Sequence, residues 1–130
     1  MTGGVEGIRL VLDTSAIIAY ANTSIAVGET IAEVVDEGGR FAVPVACLAE
    51  ASRLVPEDRA AGVLLLVEHP CAYVTPIGAT DWQVLAEWTR ILGRLDAASA
   101  LIEAIDWTAY VLTGEPKVYG SPDEMPIIPI

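Results

Sequence analysis

Four short apolar runs recur along the chain, and helical-period segments separate them. The runs are Ile8–Leu12 (IRLVL), 41–43 (FAV), 71–75 (CAYVT) and 109–113 (AYVLT). Each is short, nearly continuous in hydrophobicity and rich in β-branched, aromatic or leucine side chains. That pattern predicts strands buried on both faces, as in parallel sheets. The segments between them carry helix signals. Asp13-Thr14-Ser15 and Asn22-Thr23-Ser24 are capping clusters, Gly38-Gly39 is a stop, and Pro44 and Pro56 suit first helical turns. The order βαα βαα βαα β predicts an α/β fold: a three-layer α/β/α sandwich with a central parallel sheet of four to five strands. A helix is expected to run from Thr80-Asp81 to about Arg94, and another over Leu95–Trp107. Residues 1–7 and the proline-rich residues 121–130 are expected to be irregular tails of one domain spanning 1–130.

Length and composition agree with this. A chain of 130 residues can bury one core, and 53% of it is apolar, which excludes disorder. Seven basic residues oppose 18 acidic ones, giving a net charge of −11. Such a surface repels polyphosphate at long range, so general electrostatic binding of nucleic acid is excluded. A nucleic-acid enzyme that reaches phosphate through metal ions is not. Cys47 and Cys71 lack a CxxC partner, and His69 cannot complete a zinc site with them, so reduced thiols and a cytoplasmic location are expected. There is no basic leader before Gly7 and no apolar run long enough to span a membrane. Neither a dinucleotide-binding nor a P-loop glycine pattern occurs, so no nucleotide cofactor is expected.

Most acids lie on polar helix faces, but four do not. Asp13 follows the first strand, where open parallel sheets bind ligands; its ordinary reading is a helix N-cap. Glu50 lies in VACLAEA, where six of seven residues are small or apolar, so a largely buried helix is expected. A charged glutamate there is costly without a cation or donors; the ordinary alternative is a helix-edge residue paired with Arg53. Asp96 lies among small residues in a first helical turn, where the dipole favours it. Glu115 follows the fourth strand in Thr113-Gly114-Glu115-Pro116. Glu103, two turns beyond Asp96, is a secondary candidate. The topology brings strand ends one and four together, so Asp13, Glu50, Asp96 and Glu115 are expected to converge. No basic residue lies inside their motifs, and such a cluster is tolerable when hard divalent cations bind it.

The fragments Leu12-Asp13-Thr14-Ser15-Ala16, Val43-Pro44 with Leu48-Ala49-Glu50-Ala51, Asp96-Ala97-Ala98, and Val111-Leu112-Thr113-Gly114-Glu115-Pro116 appear in one order along nearly the whole chain. Together they resemble the PIN-domain family, especially the small ribonuclease toxins of VapBC-type toxin–antitoxin pairs. The resemblance implies a metal-dependent endoribonuclease that hydrolyses single-stranded RNA with Mg²⁺ or Mn²⁺. Asp13, Glu50, Asp96 and Glu115 would be the catalytic acids and metal ligands, with Thr14, Ser15, Ser99 and Thr113 as accessory hydroxyls. It also implies a homodimer and a cognate antitoxin. Glu115 departs from the family pattern, which usually has Asp in that turn; the longer side chain leaves room for a catalytically impaired PIN-fold binding or regulatory protein.

Other readings are weaker. A receiver-like domain phosphorylated on Asp needs a lysine after a late strand and an acidic pair before Asp13; the one lysine is Lys117, beyond Glu115-Pro116. The arginines are scattered and expected to pair with surface acids, although Arg90 and Arg94 read as an i,i+4 pair leading to Asp96. His69 reads as a helix-terminal residue, the cysteines as non-catalytic, and the tryptophans as packing or interface residues. The apolar run 62–67 suggests a protein partner.

Overall fold

The structure is a computed structural model that describes residues 7–130. Five strands, β1 (Ile8–Leu12), β2 (Arg40–Pro44), β3 (Ala72–Thr75), β4 (Tyr110–Thr113) and β5 (Ile127–Pro129), form one sheet in the order β3-β2-β1-β4-β5, and every pairing is parallel. Six helices surround it: α1 (Thr14–Ala21), α2 (Ile25–Asp36), α3 (Val45–Leu54), α4 (Ala60–Val67), α5 (Trp82–Leu92) and α6 (Leu95–Trp107). This is the expected α/β sandwich. Among the described residues, no helix is long and apolar enough to cross a membrane.

The continuous apolar runs are central because both their faces are covered. Leu10, Val11 and Leu12 of β1 are fully buried, as are Phe41, Ala42 and Val43 of β2 and Val111 and Leu112 of β4. Helix α6 packs closely because its inner face is small: Ala97, Ala98, Ser99, Ala100 and Ala104 are buried with Leu101.

Several boundaries differ from expectation for local reasons. Pro44 is not in the first turn of α3; it ends β2 and caps the helix at φ −61°, ψ 135°. The segment after Pro56 opens as a 3-10 turn over Glu57–Arg59 before α4. Helix α5 stops at Leu92 because Gly93 takes the left-handed conformation, φ 82°. Arg94 therefore caps α6 instead of sharing a helix with Arg90. Asp81 precedes α5 without making a side-chain cap bond.

The tail also departs from the irregular segment expected for 121–130. Ile127, Ile128 and Pro129 pair with Val111, Leu112 and Thr113 as β5, at the sheet edge where a missing N–H is tolerated. Of the expected N-terminal tail, residues 1–6 lie outside the described residues.

Candidate acidic site

The chain builds β1, β2 and β3 outward in one direction, then places β4 on the other side of β1. The direction reverses between β1 and β4, and clefts form beyond strand carboxyl ends at such a point. Asp13 leaves β1 there, and Gly114 and Glu115 leave β4.

Asp13 is 4% exposed and tightly held. Its Oδ1 accepts the Ala16 N–H at 3.0 Å, the expected cap of α1, and the Ser15 hydroxyl at 2.6 Å. Its Oδ2 accepts the Tyr119 hydroxyl at 2.8 Å. All three donors are neutral, and no basic side chain pairs with Asp13 among the described residues. Burial and the Asp13 charge push the Tyr119 phenol well above its ordinary pKa, so it stays a donor.

Ser15 knots the two strand ends together. Its Oγ also accepts the Gly114 N–H at 2.8 Å and lies 3.4 Å from Thr113 Oγ1. Thr113, fully buried, accepts the Glu115 N–H at 2.9 Å.

Asp96 adjoins this knot because Thr14 Oγ1 donates to its Oδ2 at 2.5 Å. The Arg94 guanidinium donates to Asp96 through Nη2 at 2.8 Å and Nε at 3.2 Å, and to Glu115 through Nη1 at 2.9 Å. Burial opposes ionisation of Asp96, but hydrogen bonds from Arg94 and Thr14 hold its carboxyl below the usual range. Thr14, Ser15, Ile18, Leu54, Arg94 and Glu115 line one open recess of about 480 Å³.

Asp13, Asp96 and Glu115 thus form a linked set, but not a bare carboxylate cluster. No basic residue lies inside the acids' motifs, but Arg94, two residues before Asp96, sits between two of the three acids and neutralises them. The placement of Glu50 is a correction. Helix α3 buries only Cys47 and Ala51, not most of its residues. Glu50 lies at its edge with a third of its side chain exposed, and Arg53 clamps it at 2.8 and 2.9 Å. That hydrogen-bonded pair lowers the Glu50 pKa. Among the described residues, no group of three or more His, Cys, Asp or Glu side chains is placed to hold a metal ion.

Ser99 does not join the acids either; it is buried on α6 and lines a neighbouring cavity with Thr75 and Glu103. Glu103 is half-buried, not simply solvated, and accepts the Thr75 hydroxyl at 2.5 Å. Cys47 Sγ donates to the Asp96 carbonyl at 3.2 Å, and burial pushes its thiol well above the ordinary pKa, so it has no nucleophilic character. His69 lies two residues beyond α4, where its Nδ1 accepts the Cys71 N–H at 3.0 Å and its ring meets Phe41 edge-on.

Sequence reasoning missed Tyr119, and it placed Arg94 as an i,i+4 partner of Arg90 rather than between Asp96 and Glu115. Tyr119 lies in a segment with no periodicity to point it anywhere. Arg94 carried a signal, its position two residues before Asp96, but its reach to Glu115 depends on the turn at Gly93. A scan against protein-family models finds no match, and a search of curated proteins finds none either.

Proposed function

We propose that the chain is a PIN-like domain that hydrolyses single-stranded RNA with Mg²⁺ or Mn²⁺, as the toxin component of a toxin–antitoxin pair. One observation carries the reading: Asp13 is a buried carboxylate at the reversal point of the sheet, without a cationic partner among the described residues and adjoining Asp96 and Glu115. The donors are all hard oxygens, which suit a small divalent cation.

Asp13, Asp96 and Glu115 would hold the ion, with Glu50 joining once Arg53 releases it. Bound there, the ion would supply an activated water and neutralise charge on a phosphodiester. The remaining work belongs to the chain itself. Ser15, Tyr119 and the Ala16 N–H fix both oxygens of Asp13, and Thr14 orients Asp96. Arg94 must leave its two carboxylates, and a freed guanidinium is a natural partner for a phosphate oxygen. The reading carries with it a cytoplasmic homodimer and a cognate antitoxin; Leu64 and Leu65 of α4, each about 60% exposed, are apolar surface available to a protein partner.

The test is cleavage of a single-stranded RNA by the full chain with Mn²⁺ or Mg²⁺. Cleavage abolished by EDTA and by Asp13→Asn is expected. Cleavage that survives both overturns the mechanism.

A second reading has its own observation. Arg94 already neutralises Asp96 and Glu115, and Glu50 is engaged by Arg53. On that reading the protein is a PIN-fold binding or regulatory module in which arginine takes the place of the metal. Calorimetric titration with Mn²⁺ separates the two: uptake abolished by Asp13→Asn favours the nuclease, and absence of uptake favours the module.

A further inference from the structure

A second cavity, of about 500 Å³, opens where β3 ends against α5 and α6. It shares no lining residue with the recess beside Arg94. Its walls are apolar and partly aromatic, from Tyr73, Leu85, Ile102 and Trp107. Three carboxylates, Asp81, Glu103 and Asp106, line it, and no basic residue does.

Ser99 supplies an independent pointer to a ligand. It lines this cavity and is 4% exposed, yet its hydroxyl makes no hydrogen bond to any described residue. Among the described residues the one fully enclosed side-chain polar atom without a partner is Arg40 Nε, so the unbonded Ser99 hydroxyl opens into the cavity. The nearby Thr75 shows the contrast: it is 5% exposed and spends its proton on Glu103.

We propose that this cavity binds an organic cation, an alkylammonium or alkylguanidinium group carried on an apolar stem. The cationic head donates to Glu103 and to Ser99 Oγ, Asp106 and Asp81 add negative potential, and the stem lies against the aromatic walls, where cation–π contact adds attraction. Phosphate and other anions are repelled by the same three carboxylates. The inference does not rest on the nuclease reading.

Burial pushes the Glu103 carboxyl up to about 7, and the charges of Asp106 on its own helix and Asp81 before α5 push in the same direction. The Thr75 hydroxyl on β3 opposes this, and the Cys47 thiol on α3 stays neutral across the range. A cation favours the ionised form, so binding strengthens as pH rises from 6 to 8.

The experiment titrates the full chain with n-butylammonium and n-butylguanidinium, then with the blocked amino acids N-acetyl-lysine methylamide and N-acetyl-arginine methylamide. Neutral n-butylurea is the control. The readout is the NMR shift of the Trp107 indole N–H, assigned with Trp107→Phe. Saturable binding of the cations is expected, with butylurea weaker by about tenfold, the loss of one charge-assisted contact. Glu103→Gln weakens binding by about the same factor and removes its rise between pH 6 and 8. Should that variant fail to fold, Asp106→Asn removes one of the three charges and weakens binding, while the rise between pH 6 and 8 persists because Glu103 is intact. Tighter binding of the blocked amino acids identifies a polypeptide side chain as the source of the cation; tighter binding of the free cations identifies a small amine. No saturation by any of the four, equal binding of butylurea, or unchanged affinity in the folded variants overturns the proposal.

Discussion

Tyr119 hydrogen-bonds Asp13 across 106 residues of sequence, at 2.8 Å and out of contact with solvent. The bond fastens the segment after β4 over the carboxyl end of β1. It also supplies the third neutral donor to a carboxylate that has no basic partner among the described residues. Tyr119→Phe keeps the ring and removes the donor. The expected loss is about 1–3 kcal/mol, the cost of an under-satisfied buried acceptor. Urea denaturation checks it: the midpoint falls and the slope stays the same.

On the metal-dependent reading, Arg94 and a divalent ion would compete for the same oxygens. Arg94→Gln removes the positive charge between Asp96 and Glu115, so Mn²⁺ affinity is expected to rise by about tenfold, as removal of one nearby unit charge suggests. Calorimetry measures this directly. An unchanged affinity would mean that Arg94 does not guard the acids.

Two carboxylates give stability opposite slopes with pH. The pKa of Asp96 is lowered in the fold, so its contribution is full above its unfolded value and is lost as pH falls through the folded one. Glu103 is the reverse. With its folded pKa raised to about 7, the native state holds a proton that the unfolded chain releases near 4.3, so stability falls as pH rises between those values. The cost above pH 7 is about 3 kcal/mol. Thermal denaturation from pH 4.5 to 8 is expected to show this decline, and Glu103→Gln is expected to flatten it.

Helices α1 and α4 touch at Gly62. A Cβ built there would lie 2.8 Å from Ala21 Cα and 2.9 Å from the Ala21 carbonyl oxygen, both backbone atoms that cannot swing aside. Gly62→Ala is therefore expected to destabilise the fold by about 1–3 kcal/mol through overpacking, despite alanine's better helix propensity. Equilibrium unfolding of the variant measures this.

The central sheet was legible because β1, β2 and β4 are apolar on both faces, and continuous hydrophobicity is a signal that local sequence carries. β5 was not, because the three residues Ile127–Pro129 are too few to show periodicity, and their pairing depends on β4 being in place. Asp13 and Asp96 were found at their expected positions because a strand end and a first helical turn are local features. Glu50 misled because composition around a residue does not say which helix face it occupies: Ala49 is exposed and Ala51 buried, and Glu50 lies between them at the rim. Arg94 and Ser99 depend on three-dimensional placement, one on the left-handed turn at Gly93 and the other on a cavity made by three elements.

Parallel pairing of β1 with β4 joins Leu10 to Tyr110 and Leu12 to Leu112, so the middle of the sheet spans 100 residues of sequence. Long-range closure of this kind is slow and must wait for the distant partner. On a ribosome, Asp13 emerges early, but Ser15 has no Gly114 to bind and Asp13 has no Tyr119 until most of the polypeptide has been made. A nascent chain therefore carries Asp13 well before Gly114, Glu115 and Tyr119 exist to arrange it, and assembly of the acidic cleft is a late event in maturation.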